Sequence, residues 1–178
     1  MTSLGLIQVY TGDGKGKTTA SLGLAFRACG HGFQVCMIQF MKDNTEYGEF
    51  KSSSNLPGFT LFQVGRNDFV NLENPEAIDK KLAQDGWNKA KHMIVSGKYD
   101  IVILDEINVA MACKIVDVHS VVSFLTEDRM TLTKIPEIIL TGRYAPHEII
   151  NIAHLVTEMK EIRHNFSTGM ESRQGIEF

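Results

Sequence analysis

The sequence is sparing in features that would each point to a class of function. It holds three cysteines in 178 residues, Cys29, Cys36 and Cys113, far apart, odd in number and without a Cys-x-x-Cys pair. No disulfide framework or thiolate metal site is indicated, and reduced, core-packed thiols of a cytoplasmic protein are expected. Positive charge is not in excess: the net charge is −3 and the pI about 6.1. A broad basic surface is therefore not implied, and nucleic acid is not an expected partner. No stretch approaches the roughly 18 apolar residues of a membrane span. Met1 to Gln8 lack the basic segment and long apolar run of a signal peptide. No Pro/Gly/Ser-rich linker, internal repeat or low-complexity tract divides the chain, so residues 1–178 are expected to form one domain, and 43% apolar content suffices for a full core. The six histidines show no ligand spacing and read as structural or surface residues. No Ser/His/Asp or Cys/His arrangement for nucleophilic catalysis stands out.

What is present is a steady alternation of strand and helix signals. Leu6–Tyr10, Gln34–Phe40, Phe59–Val64, Asp100–Leu104 and Glu137–Leu140 read as strands, with Leu155–Ile162 as a final edge strand. Thr18–Cys29, stopped by Gly30, reads as a helix, as do Pro75–Val95, Asp117–Leu125 with Asp117 as cap, and Pro146–Ile152. Met41–Gly58 is polar and reads as a long mobile loop. Trp87 on the long helix is expected in the core. Unbroken aliphatic runs such as Ile101-Val102-Ile103-Leu104 suit strands buried on both faces. The pattern predicts an α/β fold of three layers with a mostly parallel sheet, and ligands at the carboxyl ends of its strands.

The chemical motifs fall at such ends. Thr11-Gly12-Asp13-Gly14-Lys15-Gly16-Lys17-Thr18-Thr19 joins the first strand to the first helix. Glycines let backbone amides approach phosphate oxygens without a Cβ clash, and the helix N-terminus adds its dipole. Lys17 supplies a mobile positive charge and Thr18 a hydroxyl ligand for Mg²⁺, so the segment reads as a P-loop for a nucleoside triphosphate. Thr11 stands where the first glycine of that pattern is expected, and Asp13 places a carboxylate beside the triphosphate. Asp105-Glu106 ends an aliphatic strand, where either acid can hold Mg²⁺ directly or through water; in an ATPase the second would activate a water. Arg143, in Thr141-Gly142-Arg143, either neutralises polyphosphate or makes a surface ion pair. Lys42 and Glu49 flank the polar loop and either reach the ligand or are plain loop charges. Phe69, just past the third strand, either floors a flat cofactor or packs the core.

Taken together these segments resemble the ATP:corrinoid (cob(I)alamin) adenosyltransferases whose core is a RecA-like P-loop NTPase fold. The resemblance spans nearly the whole chain. It rests on Tyr10–Thr19, Gly30-His31-Gly32, Gln39-Phe40-Met41-Lys42 with Gly48-Glu49, and Leu104-Asp105-Glu106-Ile107-Asn108. Thr141-Gly142-Arg143 with Ala145-Pro146, Leu155–Met159 and Gly175-Ile176-Glu177-Phe178 complete it. It implies transfer of the 5′-deoxyadenosyl group of ATP to the Co(I) of a reduced corrinoid, with triphosphate leaving. Mg²⁺ would sit on Thr18 and Glu106 or Asp105, and no protein nucleophile or general base would be needed. It further implies an ATP reversed in the loop, a cytoplasmic homodimer, a flavin-type reductant protein as electron source, and an N-terminal segment over the corrinoid. Only about five residues precede the first strand, so that cover is expected to be missing or replaced, for example by Met41–Gly58. Two rival readings remain open at this level: another P-loop ATPase or nucleotide kinase using Glu106 as base, and a non-enzymatic module gated by ATP.

Overall fold

The computed structural model describes residues 5–68, 70–165 and 169–177. Six strands form one sheet in the order β3-β2-β4-β5-β1-β6. They are β1 (Ile7–Thr11), β2 (Val35–Phe40), β3 (Phe59–Val64), β4 (Ile101–Asp105), β5 (Glu137–Thr141) and β6 (Leu155–Glu158). Every pairing is parallel, so the sheet is more uniform than the mostly parallel one expected.

Period-two alternation sorts the side chains into two layers. Val35 and Met37 of β2, Ile101 and Ile103 of β4 and Ile139 of β5 pack with Ala25 and Ala28 of α1 (Lys17–Gly30) on one face. Cys36, Ile38 and Phe40, Val102 and Leu104, and Ile138 and Leu140 form the core on the other face. There they meet α3 (Ala77–Val95), α4 (Ile107–Ala112), α5 (Val118–Thr126) and α6 (His147–Ile152). This is the expected three-layer arrangement. Asp117 caps α5 by accepting the N–H of Ser120 at 2.8 Å, as its position before an apolar run suggests.

Several expectations need correction. The segment 41–58 is not wholly loop: Gly48–Ser53 forms a short helix, α2, with no buried residue, so no apolar stripe betrayed it. Helix α4, which follows Glu106 after β4, is six residues long and buried nearly all round with no side-chain cap, so it shows no helical periodicity in the sequence. A single turn of 3₁₀-helix at Asp128–Thr131 also carries no sequence mark. β6 ends at Glu158 rather than Ile162. Beyond it Met159 donates to the carbonyl of Thr11 at 2.8 Å and accepts the N–H of Gly14 at 2.7 Å, so the chain turns under the loop after β1. Of the cysteines only Cys36 is buried; Cys29 and Cys113 are half-buried, and all three are free. No helix among the described residues is long and apolar enough to cross a membrane.

Trp87 is fully buried, stands edge-on to Phe124 at 5.5 Å between centroids, and donates its indole N–H to Ser120 at 3.1 Å. It joins α3 to α5 over the sheet. Trp87→Ala is expected to lower unfolding stability by about 3–5 kcal/mol, through lost burial and the cavity left behind. Urea denaturation would measure this; a loss under about 1 kcal/mol would mean that the two helices do not share this contact in solution.

Candidate active site

The loop between β1 and α1 is packed from behind by backbone. A Cβ at Gly12 (φ +97°) would come within 2.5 Å of the Met159 carbonyl oxygen, and one at Gly14 within 2.8 Å. Only glycine fits between this loop and the chain leaving β6. One consequence departs from expectation: the amide of Gly14 is committed to Met159 and does not turn toward the cleft. Thr11, the departure from the general loop pattern, accepts the N–H of Ala145 at 3.3 Å and so ties the loop to the segment before α6. Lys17 is buried at the start of α1, its ammonium donating to the carbonyls of Gly12 (2.8 Å) and Gly14 (2.7 Å). Burial lowers its pKa, the nearby Glu106 charge opposes this, and Arg143 adds to the lowering.

Asp105 closes β4 and is fully buried. Its Oδ1 accepts the hydroxyls of Thr18 (2.8 Å) and Thr141 (2.7 Å); its Oδ2 accepts Nε2 of Gln39 (3.1 Å) and the ammonium of Lys42 (3.2 Å). A carboxylate offers about four lone-pair sites, so Asp105 is saturated. The proton of the Thr18 hydroxyl is thereby directed at Asp105, which leaves that oxygen's lone pairs for the cleft. Glu106 follows in a left-handed conformation (φ +63°), its own amide donating to the Thr141 hydroxyl at 3.0 Å. Burial and the Asp105 charge raise its pKa above the ordinary 4.5, against the pull of Lys42, Lys17 and Arg143. Met41 after β2 and Tyr144 after β5 share this positive φ, at +56° and +59°. Such strain in non-glycine residues costs roughly 1–3 kcal/mol each and gathers at functional sites.

Opposite the loop, Lys42 lies 3.8 Å from Glu49, the acid of α2. Burial alone would lower Lys42, but Asp105 and Glu49 outweigh it and its pKa is raised. Arg143 is exposed and donates to the carbonyl of Asp13 at 3.0 Å. Asp13, Lys17, Thr18, Lys42, Glu49, Glu106 and Arg143 border one cleft of about 1330 Å³, lined also by Gly16, Lys15, Thr19 and the C-terminal residues Gly175, Ile176 and Glu177. Lys15 donates to the carbonyl of Ile176 at 3.2 Å and lies 3.6 Å from Glu177. The structure thus gathers Asp13–Thr19, Lys42, Glu49, Glu106 and Arg143 around one space, with Gly12 and Asp105 just behind it. Phe69 lies outside the described residues, between Asp68 and Val70, which border the cleft. His164, one of the six histidines, also lines the cleft.

Sequence reasoning from the residues missed the roles of Gln39, Gln63 and Thr141. Gln63, Gln39 and Asp105 are register partners across β3, β2 and β4. They follow the apolar residues that face α1 on each strand, and Thr141 does the same on β5. The available signal was a polar residue at the same in-phase position near the end of four apolar strands.

A family model described as ATP:corrinoid adenosyltransferase BtuR/CobO/CobP matches residues 3–178. A corrinoid adenosyltransferase of a Sinorhizobium species is 38% identical over 98% of the chain and 80% of its own length. One from Escherichia coli K12 is 36% identical over 98% and 86%. The corrinoid adenosyltransferase CobA of Salmonella typhimurium is 35% identical over the same shares. Among solved structures, the flagellar accessory protein FlaH of Methanocaldococcus jannaschii superposes with a TM-score of 0.55 at 17% identity, covering 86% of this chain and 70% of that one. The ATPase EscN of enteropathogenic E. coli gives 0.57 at 17% identity, covering 89% and 43%. These two likenesses speak for the fold alone, a parallel sheet between layers of helices.

Because the folded protein holds the Glu106 proton more tightly than the unfolded chain, ionising Glu106 costs stability as pH rises from 4.5 toward the folded-state value. Glu106→Gln is therefore expected to stabilise the protein near neutrality, the gain shrinking to nothing as pH falls through 4.5. Denaturant midpoints of the two proteins across that window would measure it. A difference that does not vary with pH would contradict the burial of this carboxylate.

Proposed function

Starting from the chain's membership of the ATP:corrinoid adenosyltransferase family, we propose how its cleft carries that family's reaction. The protein adenosylates corrinoids at the expense of ATP, in adenosylcobalamin synthesis or salvage. In our reading the cob(I) centre of the reduced corrinoid attacks C5′ of ATP. The cobalt electron pair forms the Co–C bond, the C5′–O bond breaks, and its electrons leave on triphosphate. The observation that carries this reading is the Lys17 ammonium seated within the glycine loop, beside the Thr18 hydroxyl whose proton Asp105 holds.

The residues have separate tasks. Lys17, the amides of Gly16, Lys17, Thr18 and Thr19, and Arg143 hold the triphosphate and stabilise its charge as it departs. Gly12 and Gly14 let the loop pack against the chain leaving β6, and Asp13 and Lys15 border the entrance. The donor set fits Mg²⁺, a hard cation that takes one or two protein oxygens and leaves the rest to phosphate and water. Thr18 and Glu106 would hold it, and Asp105, already saturated, would orient Thr18. When bound, Mg²⁺ would neutralise triphosphate charge. An exposed apolar wall of Phe26 and Leu72, with Leu22 and Leu56, suits the face of a corrinoid, and Phe69 is kept as a candidate floor. The wall 41–58, including Lys42 and Glu49, covers the corrinoid and excludes water that would consume the reductant. The reading further takes the protein as a cytoplasmic homodimer supplied with electrons by a flavin-type reductant protein; its free thiols agree with a reducing compartment.

Chemically reduced cobalamin with Mg-ATP should yield the adenosylcobalamin spectrum and one triphosphate per turnover. Lys17→Ala should lower kcat by about 10²–10³ with the fold intact. Wild-type turnover in that variant would remove Lys17 from the reaction, and release of phosphate or ADP would return Glu106 to the role of a base.

A further inference from the structure

We propose that Gln63 is a positioning residue that, through Gln39, fastens the wall 41–58 to Asp105; its use in catalysis rests on the reading of that wall as the corrinoid's cover. The argument is one of hydrogen-bond direction. Nε2 of Gln39 lies 3.1 Å from Oε1 of Glu49 and 3.1 Å from Oδ2 of Asp105. Carboxylate oxygens only accept, so Gln39 must turn its NH₂ group toward them and its oxygen away. That oxygen accepts Nε2 of Gln63 at 3.1 Å, which leaves Oε1 of Gln63 to accept the backbone N–H of Asn44 at 2.8 Å. Asn44 in turn accepts the N–H of Glu46 through its side chain at 2.9 Å. From Asp105 through Gln39 to Gln63 each link dictates the polarity of the next, and the buried carboxylate dictates the first.

The wall is thereby held at two points. Asn44 is held by Gln63, and Glu49 on α2 is held by Gln39 and Lys42. Both points border the cleft. The group that directs the Thr18 hydroxyl thus also sets the position of the opposite wall. An ionised glutamate at position 63 has the same shape but cannot donate. It sets oxygen against oxygen at Gln39, and if Gln39 turns over to answer it, the clash moves to Asp105 and Glu49.

Gln63→Glu tests this, with Gln63→Met as a second variant of equal length that keeps neither bond and that carries the same readouts should the first not fold. Trypsin cleavage after Lys51 of α2, whose side chain is 50% exposed, reports on the fastening independently of any reaction. It should run about tenfold faster than in the parent protein, the measure of one broken link, with cleavage on α3 unchanged. In the adenosylation assay KM for reduced corrinoid should rise about tenfold, while kcat at saturating corrinoid and Kd for ATP stay within about twofold. Unchanged cleavage at Lys51 in the folded variants overturns the fastening. Faster cleavage with an unaltered corrinoid KM, or with an equal loss of ATP affinity, overturns the positioning role. If the parent protein does not adenosylate corrinoid at all, the functional reading falls and the positioning role with it, while the cleavage rate still decides the fastening.

Discussion

The carboxylate of Asp105 has no contact with solvent and receives four donors from three parts of the chain: Thr18 of α1, Thr141 of β5, and Gln39 and Lys42 in and just beyond β2. Losing it would strand all four, and an unpaired buried polar group costs about 1–3 kcal/mol. The sheet order explains why it stands there. β5 lies between β1 and β4, so the phosphate-binding loop and the acid strand are not neighbours. Thr18 must reach across, and Thr141 fills the gap between them.

Around that centre the backbone is bent where the ligand edge needs it. Met41, Glu106 and Tyr144 adopt left-handed conformations just after β2, β4 and β5. Each sits where the chain leaves a strand and the next side chain must be re-aimed. For Glu106 the bend combines with burial and with the Asp105 charge, so a carboxylate is held where its ionisation is disfavoured. Lys17, Lys42 and Arg143 partly offset this. A divalent cation bound beside Glu106 would favour its ionised form.

The arrangement suits a reaction in which the incoming nucleophile belongs to a substrate. The saturated Asp105 is occupied with orienting Thr18, Gln39 and Lys42 and has no lone pair left for proton transfer. On the proposed reading, the chain provides a cationic place for a leaving polyphosphate, a bordering space for a large flat partner, and a wall that keeps water out.

Much of this was legible in the amino-acid order. Unbroken aliphatic strands between amphipathic helices specify a parallel three-layer fold, because only burial on both faces tolerates such runs. Thr11–Thr19, Asp105-Glu106 and Arg143 could be placed at strand ends because each directly abuts a readable strand or helix. Local pattern failed where local pattern is weak: α2 has no buried face, and the short α4 is buried nearly all round, so it has no polar face. Only the tertiary structure decided which strands adjoin, and with that which polar ends meet. Gln63, Gln39, Asp105 and Thr141 lie far apart in the chain, and it is parallel pairing in one register that brings them to a single level on the α1 face. A hydrogen-bonded row across strands is a property of register, and register is set by the packing of the whole sheet rather than by any one segment.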